Sequence, residues 1–240
     1  MDPQTSTEGT KFPWGWQLWL RGLTRILMIV GVMAGILFLA AGRIAWPAAW
    51  LLTFLYLLYL LFIMLWGSKN APDLLQERGR IATNVKSWDK LINAIYAVLI
   101  VILLIIAGFD VVRFRWSKMP LGFQVVGTIG LLAAGWVIWW TIAENAYASR
   151  WARIQADRGQ VVISGGPYRF IRHPMYAAII VLVASLALEL GSWWGLIPSG
   201  TIAILFVIRT ALEDRMLHAE LTGYREYAAQ VRYRLIPGIW

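Results

Sequence analysis

Apolar residues in this chain run in long unbroken blocks, without the alternation or the three-to-four-residue period of a soluble domain. Charge-free stretches cover residues 26–42, 44–68, 91–109 and 119–143. Two more apolar runs, 174–188 and 190–209, the second ending on Arg209, are separated by little beyond Glu189, with Gly191 and Ser192 just after it. A helix needs about 20 apolar residues to cross the hydrocarbon core of a bilayer. The pattern predicts an all-α integral membrane protein of about six transmembrane helices, the last two forming a tight hairpin. The fifth run is short, as suits a span that is tilted or shielded by protein. Glu189, at the hairpin turn on the far side, reads as solvated. No Asp, Glu, Lys, Arg or His falls inside a predicted span before Glu144. Pumps and coupled transporters carry such groups near the bilayer centre, so a transporter is disfavoured. Residues 1–11 are polar, with Asp2 and Glu8, and read as an arm rather than a cleavable signal peptide.

Composition agrees: of 240 residues, 59% are hydrophobic and 15% charged. The absence of cysteine excludes a disulfide scaffold, a thiolate metal site and a cysteine nucleophile. A net charge of +9 would suggest nucleic acid in a soluble protein. Beside long apolar runs it marks loops facing anionic lipid, so the expected partners are the bilayer and a lipophilic substrate, with no nucleic acid. Six crossings gather the basic residues of the N-terminal arm, of loops 69–90 and 150–172 and of the tail on one side. Arg43, Arg113, Arg115 and Lys118 remain on the other. That bias predicts cytoplasmic N- and C-termini. Tryptophans at the span ends, among them Trp14, Trp46, Trp66 and Trp116, read as an interfacial belt. Gly31 and Gly35 form a GxxxG in the first span, read as helix packing; the oligomeric state stays open.

Polar residues gather in two blocks, 144–176 and 209–237, and so divide the chain. Residues 1–22 form an arm, 23–143 a four-span membrane region, and 144–240 a core with its hairpin and a cytoplasmic tail. Asn145, Ser149 and Arg153 recur every four residues, which predicts one face of a helix continuing from the fourth span, with Gly159 as its stop. Residues 160–163 read as a short extended run and 164–168 as a turn exposing backbone N–H and C=O groups. Arg169, Arg172 and His173 follow, then Pro174, which suits the first turn of a new helix, with Tyr176 just inside it. In the second block Arg209, Glu213, Met216 and Glu220 lie along one helical face. Arg209 and Glu213, four apart, are also spaced for a simple surface ion pair. Gly223 can end that helix, and 224–231 reads as a short amphipathic one with Tyr224, Tyr227 and Val231 inward.

The ordered set Gly166-Pro167-Tyr168, Arg172-His173-Pro174-x-Tyr176, Glu213-Asp214, Tyr224-x-x-Tyr227 and Arg234-Leu-Ile-Pro237 resembles the isoprenylcysteine carboxyl methyltransferase family and the related phospholipid N-methyltransferases. Asn145, Ser149, Arg153-Ile-Gln155 and Asp157-Arg158-Gly159 resemble its prokaryotic branch. The resemblance covers 144–240; the first four spans carry no such motif. It implies a membrane enzyme that uses S-adenosyl-L-methionine held beside the cytoplasm by the last helices and tail, with a lipid acceptor entering from the bilayer. By motif position Ile163, Gly165, Gly166, Pro167 and Tyr168 would bind cofactor largely through backbone, and His173, Tyr176, Glu213 and Asp214 would line its site. The second acid is Asp where relatives carry Glu, and Ala178 stands where many have Gly.

The residue types suit that chemistry. Glu213 can accept hydrogen bonds from a ribose diol or pair with an amine, and Arg172 or Arg209 can pair with a carboxylate. Tyr168 and Tyr176 offer faces for an adenine or a sulfonium. His173, Arg172, Arg153 and Asn145 are the candidates for work on the acceptor, whose reacting atom (carboxyl, amine or thiol) stays open. No GxGxxG follows a strand, so the soluble dinucleotide-type site is absent. His218 has no partner in a metal motif, and no metal is assigned. The alternative class is a membrane reductase using NADPH on a sterol-like or isoprenoid lipid, since such reductases resemble this family in their C-terminal architecture.

Overall fold

The computed structural model describes residues 16–79 and 84–240. Most of the expected arm therefore lies outside it, with Lys11, Trp14 and Arg80. The described residues are helical throughout their ordered elements, with no strand. Among the described residues five helices are long and apolar enough to cross a membrane: α1 (Trp16–Ala41), α2 (Pro47–Asn70), α4 (Ser87–Gly108, with a π-helical turn Phe109–Arg113), α5 (Leu121–Glu144) and α7 (Leu196–Glu220). A short helix, α3 (Pro72–Gly79), links α2 towards α4, and α8 (Tyr224–Gln230) follows α7. The sixth apolar helix, α6 (Pro174–Leu190), has 17 residues and is about 25 Å long at 1.5 Å per residue. It falls short of a full crossing, yet it buries Tyr176, Ala178, Val183, Leu186 and Leu190 because α5, α7 and parts of α2 and α4 pack around it. Protein rather than lipid shields it.

Small residues set how closely these helices pack. A Cβ on Gly108 of α4 would stand 2.9 Å from the backbone nitrogen of Ala41 on α1. On α5, Gly127 leaves room for the backbone of Ser185 and Glu189, and Gly130 for the Ser185 side chain. Gly31 and Gly35 behave differently, for a Cβ on either would meet nothing within 4 Å. The GxxxG of α1 is not a close helix contact among the described residues. The α6–α7 hairpin turns at Gly191, whose φ of +84° is the left-handed conformation that glycine adopts without strain.

Four expectations change. The first span begins at Trp16, so Arg21 and Arg25 ride on α1 instead of an arm. The helix expected to carry Asn145, Ser149 and Arg153 does not exist, because α5 ends at Glu144. There the Asn145 side chain accepts the Tyr147 N–H at 2.8 Å and the Ser149 hydroxyl accepts the Trp151 N–H at 3.1 Å. Such local bonds compete with the helical ladder, and Gly159 closes only a single 3₁₀ turn, Ala156–Arg158.

Third, α4 is longer than its apolar run and carries two fully buried carboxylates, Asp89 at its start and Asp110 in its π turn. They stand at the two ends of the helix, away from the bilayer centre. Asp110 accepts the hydroxyls of Ser117 and Ser192, both at 2.6 Å, clasping the α4–α5 loop to the hairpin turn.

Glu189 is the fourth. It is 1% exposed, and neither carboxylate oxygen has a hydrogen-bond partner among the described residues. The last turn of α6 presses it against α5, where Gly127 has no side chain to keep it out. A buried polar group without partners costs about 1–3 kcal/mol, more when charged. Glu189→Met, similar in volume, is expected to stabilise the protein by about that amount, read as a higher melting temperature in detergent. A lower one would show that the carboxylate is satisfied.

Candidate functional site

A cleft opens where the polar ends of α5, α6 and α7 meet α8 and the 145–163 segment. It encloses about 790 Å³ of empty space counted out to its open mouth, open solvent included.

Its floor is the first turn of α6. His173 precedes Pro174, which fills the first helical position, and the His173 and Tyr176 rings stack with centroids 5.7 Å apart. From α7, Glu213 projects into the cleft and accepts a hydrogen bond from the Tyr176 hydroxyl. Tyr224 and Tyr227 of α8 close one side. The Tyr227 hydroxyl donates to the Tyr168 carbonyl at 2.8 Å, fixing the Gly166–Arg169 turn against α8. Opposite, the 145–163 segment is irregular but tightly bonded. Asn145 donates to the Tyr168 hydroxyl at 2.8 Å, and buried Gln155 donates to the Tyr147 carbonyl at 2.7 Å. Burial pushes the Tyr168 phenol well above its ordinary pKa, despite the Asn145 bond, so it serves as a neutral hydroxyl.

The expected site residues divide. Asn145, Arg153, Ile163, Tyr168, Arg172, His173, Tyr176 and Glu213 all line the cleft. Gly165, Gly166 and Pro167 lie beside it. Gly166 has φ +53°, and both glycines lie against the Glu144 side chain, which leaves no room there for a Cβ. Arg153 is already engaged, donating to Asp157 at 2.9 Å and Glu77 at 2.8 Å. Its bond holds the exposed Asp157 carboxyl below the ordinary range.

Arg209 and Asp214 stand outside the lining. Asp214, one residue from Glu213, turns about 100° away around the helix. There its oxygens meet Arg172 Nε at 3.1 Å, His173 Nε2 at 3.4 Å, the Tyr224 hydroxyl at 2.9 Å and Arg234 Nε at 2.9 Å. It is a knot joining α6, α7, α8 and the tail. The tail adds backbone bonds, with the Arg172 and His173 N–H groups donating to the carbonyls of Tyr233 and Arg234, both at 2.9 Å.

Arg209 does not form the ion pair with Glu213 that its spacing allows. Its Nε lies 2.9 Å from Asp89 Oδ1, and its Nη2 donates to the Arg150 carbonyl at 3.0 Å. The guanidinium sits over the Tyr176 ring, 4.8 Å from its centroid. Sequence reasoning missed Asp89, because an acid in the first turn of a helix is ordinary complement to the helix dipole. Nothing in its neighbourhood along the chain announces Arg209, 120 residues away.

No curated protein matches the chain. Residues 123–221 match the family model described as phospholipid methyltransferase. The matched stretch carries α5, α6 and nearly all of the cleft, and stops before α8 and the tail. Over those residues the chain resembles the phospholipid methyltransferase family, and that match supports a membrane methyltransferase.

Proposed function

We propose that the protein is an S-adenosylmethionine-dependent methyltransferase acting at the cytoplasmic membrane face on a lipophilic acceptor held in the bilayer. One observation carries the reading. Within the family-matched segment, one cleft at the polar ends of the apolar helices joins a carboxylate, Glu213, to the side chains of Tyr168 and Tyr176. The concentration of basic residues on the loops and tail at that end supports a cytoplasmic orientation.

These donors and faces fit the cofactor. Glu213 would accept from its ribose diol or pair with its amine, and the Tyr168 ring would face adenine or sulfonium. Backbone at 163–168 would hold its remaining polar groups, with Arg172 close enough to share its charge between Asp214 and a carboxylate. When bound, the cofactor supplies a methyl group activated on sulfur. The protein's own work is to align donor and acceptor and exclude water, and such positioning contributes about 7–11 kcal/mol. A carboxylate acceptor needs orientation alone; an amine or thiol must lose a proton, for which His173 is the base.

Calorimetric titration of the detergent-purified protein with S-adenosylhomocysteine, with NADPH in parallel, tests this. Saturable binding of the first, followed by transfer of a labelled methyl group from S-adenosylmethionine into extracted lipid, is the expected result. Binding of NADPH alone would overturn it in favour of a reductase.

A further inference from the structure

The ion pair between Asp89 and Arg209 bears on whether Glu213 is available at all. Arg209 and Glu213 are four residues apart on α7, the spacing at which a helical ion pair forms, and they lie within electrostatic reach of one another. Arg209 is 5% exposed, and a buried guanidinium without a carboxylate partner is costly enough to seek one. Asp89 is 0% exposed and comes from α4, outside the family-matched segment. Its Oδ1 faces Arg209 Nε at 2.9 Å while its Oδ2 accepts the Ala152 N–H at 2.8 Å. One carboxylate thus fixes Arg209 on the α7 side and the 145–163 segment on the other. Among the described residues, the hydrogen-bond partner of Glu213 is the neutral Tyr176 hydroxyl.

We propose that Asp89 is a positioning residue that holds Arg209 away from Glu213 and so leaves the Glu213 carboxylate free for a polar or cationic group of the ligand. The inference rests on the methyltransferase reading of the cleft. Without the Asp89 charge, Arg209 swings to the nearest remaining carboxylate, Glu213, and neutralises it from behind.

The test is S-adenosylhomocysteine affinity in three variants, after wild-type binding has been established; failure of wild type to bind would instead strike the reading beneath. Asp89→Asn keeps an acceptor for Ala152 but loses the charge, and its affinity is expected to fall about tenfold, the equivalent of 1.4 kcal/mol. Asp89→Asn/Arg209→Gln removes the competitor as well, and its affinity is expected to return to within about threefold of wild type, a gap of less than 1 kcal/mol. A loss that came merely from weakened packing would not be rescued by a second buried substitution. Asp110→Asn, equally buried at the other end of α4, controls for burial and is expected to bind as wild type does. Wild-type affinity in Asp89→Asn, or a double variant as weak as the single one, overturns the proposal. If Asp89→Asn alone does not fold, the double variant decides: near-wild-type affinity supports it and a tenfold loss overturns it.

Discussion

Glu213→Ala is expected to weaken S-adenosylhomocysteine binding by about 10- to 100-fold, since hydrogen bonds to a charged group contribute about 1.5–3 kcal/mol each. The protein should remain folded. Glu213 is only part-buried and projects into open space, and the Tyr176 hydroxyl it leaves behind faces the cleft, where water can take over the bond. Glu213→Gln sharpens the measurement. The amide still accepts from Tyr176 but cannot balance a positive charge, so an intermediate loss assigns Glu213 to the cofactor's diol and a full loss to its amine. Unchanged affinity in Glu213→Ala would remove this residue from the cofactor site, and with it the main support for reading the cleft as a methyl-donor site.

Helices were the legible part, because a run of apolar residues long enough to span a bilayer has few other fates. The hairpin break was legible too, since Gly191 and Ser192 interrupt two apolar runs and Gly191 takes the left-handed conformation required there. Legibility failed wherever a residue's fate depended on a partner distant in sequence. Glu189 reads as a solvated turn residue until α5 brings Gly127 against it. The four-residue spacing of Asn145, Ser149 and Arg153 counts as helical only if the backbone stays helical. The short polar side chains of Asn145 and Ser149 bond the backbone locally instead. Arg209 and Glu213 look like an i,i+4 pair until Asp89 arrives from α4. In each case the pattern was present, and a tertiary contact decided its meaning.

The adjacent acids make the same point with the largest expected effect on stability. As sequence, Glu213 and Asp214 are one motif; on the helix they face different surroundings. Asp214 is 1% exposed and gathers Arg172, His173, Tyr224 and Arg234. Removing one partner of a buried ion pair leaves the other uncompensated and costs about 3–5 kcal/mol. Asp214→Ala is therefore expected to destabilise the protein by about that much, chiefly by releasing the tail. Arg172 would lose its carboxylate, and the Tyr224 hydroxyl its acceptor. Trypsin under native conditions should then cut at Arg232 or Arg234 well before the membrane helices are lost. Asp214→Asn keeps an acceptor for Tyr224 while removing the charge, and should fall between wild type and Asp214→Ala. The two acids thus separate by readout: Glu213→Ala loses affinity with its melting temperature nearly intact, whereas Asp214→Ala loses the tail first and affinity only as a consequence. If Asp214→Ala resists trypsin as wild type does and yet fails to bind S-adenosylhomocysteine, Asp214 belongs with Glu213 in the cofactor site, and the cleft must reach further round α7 than its present lining.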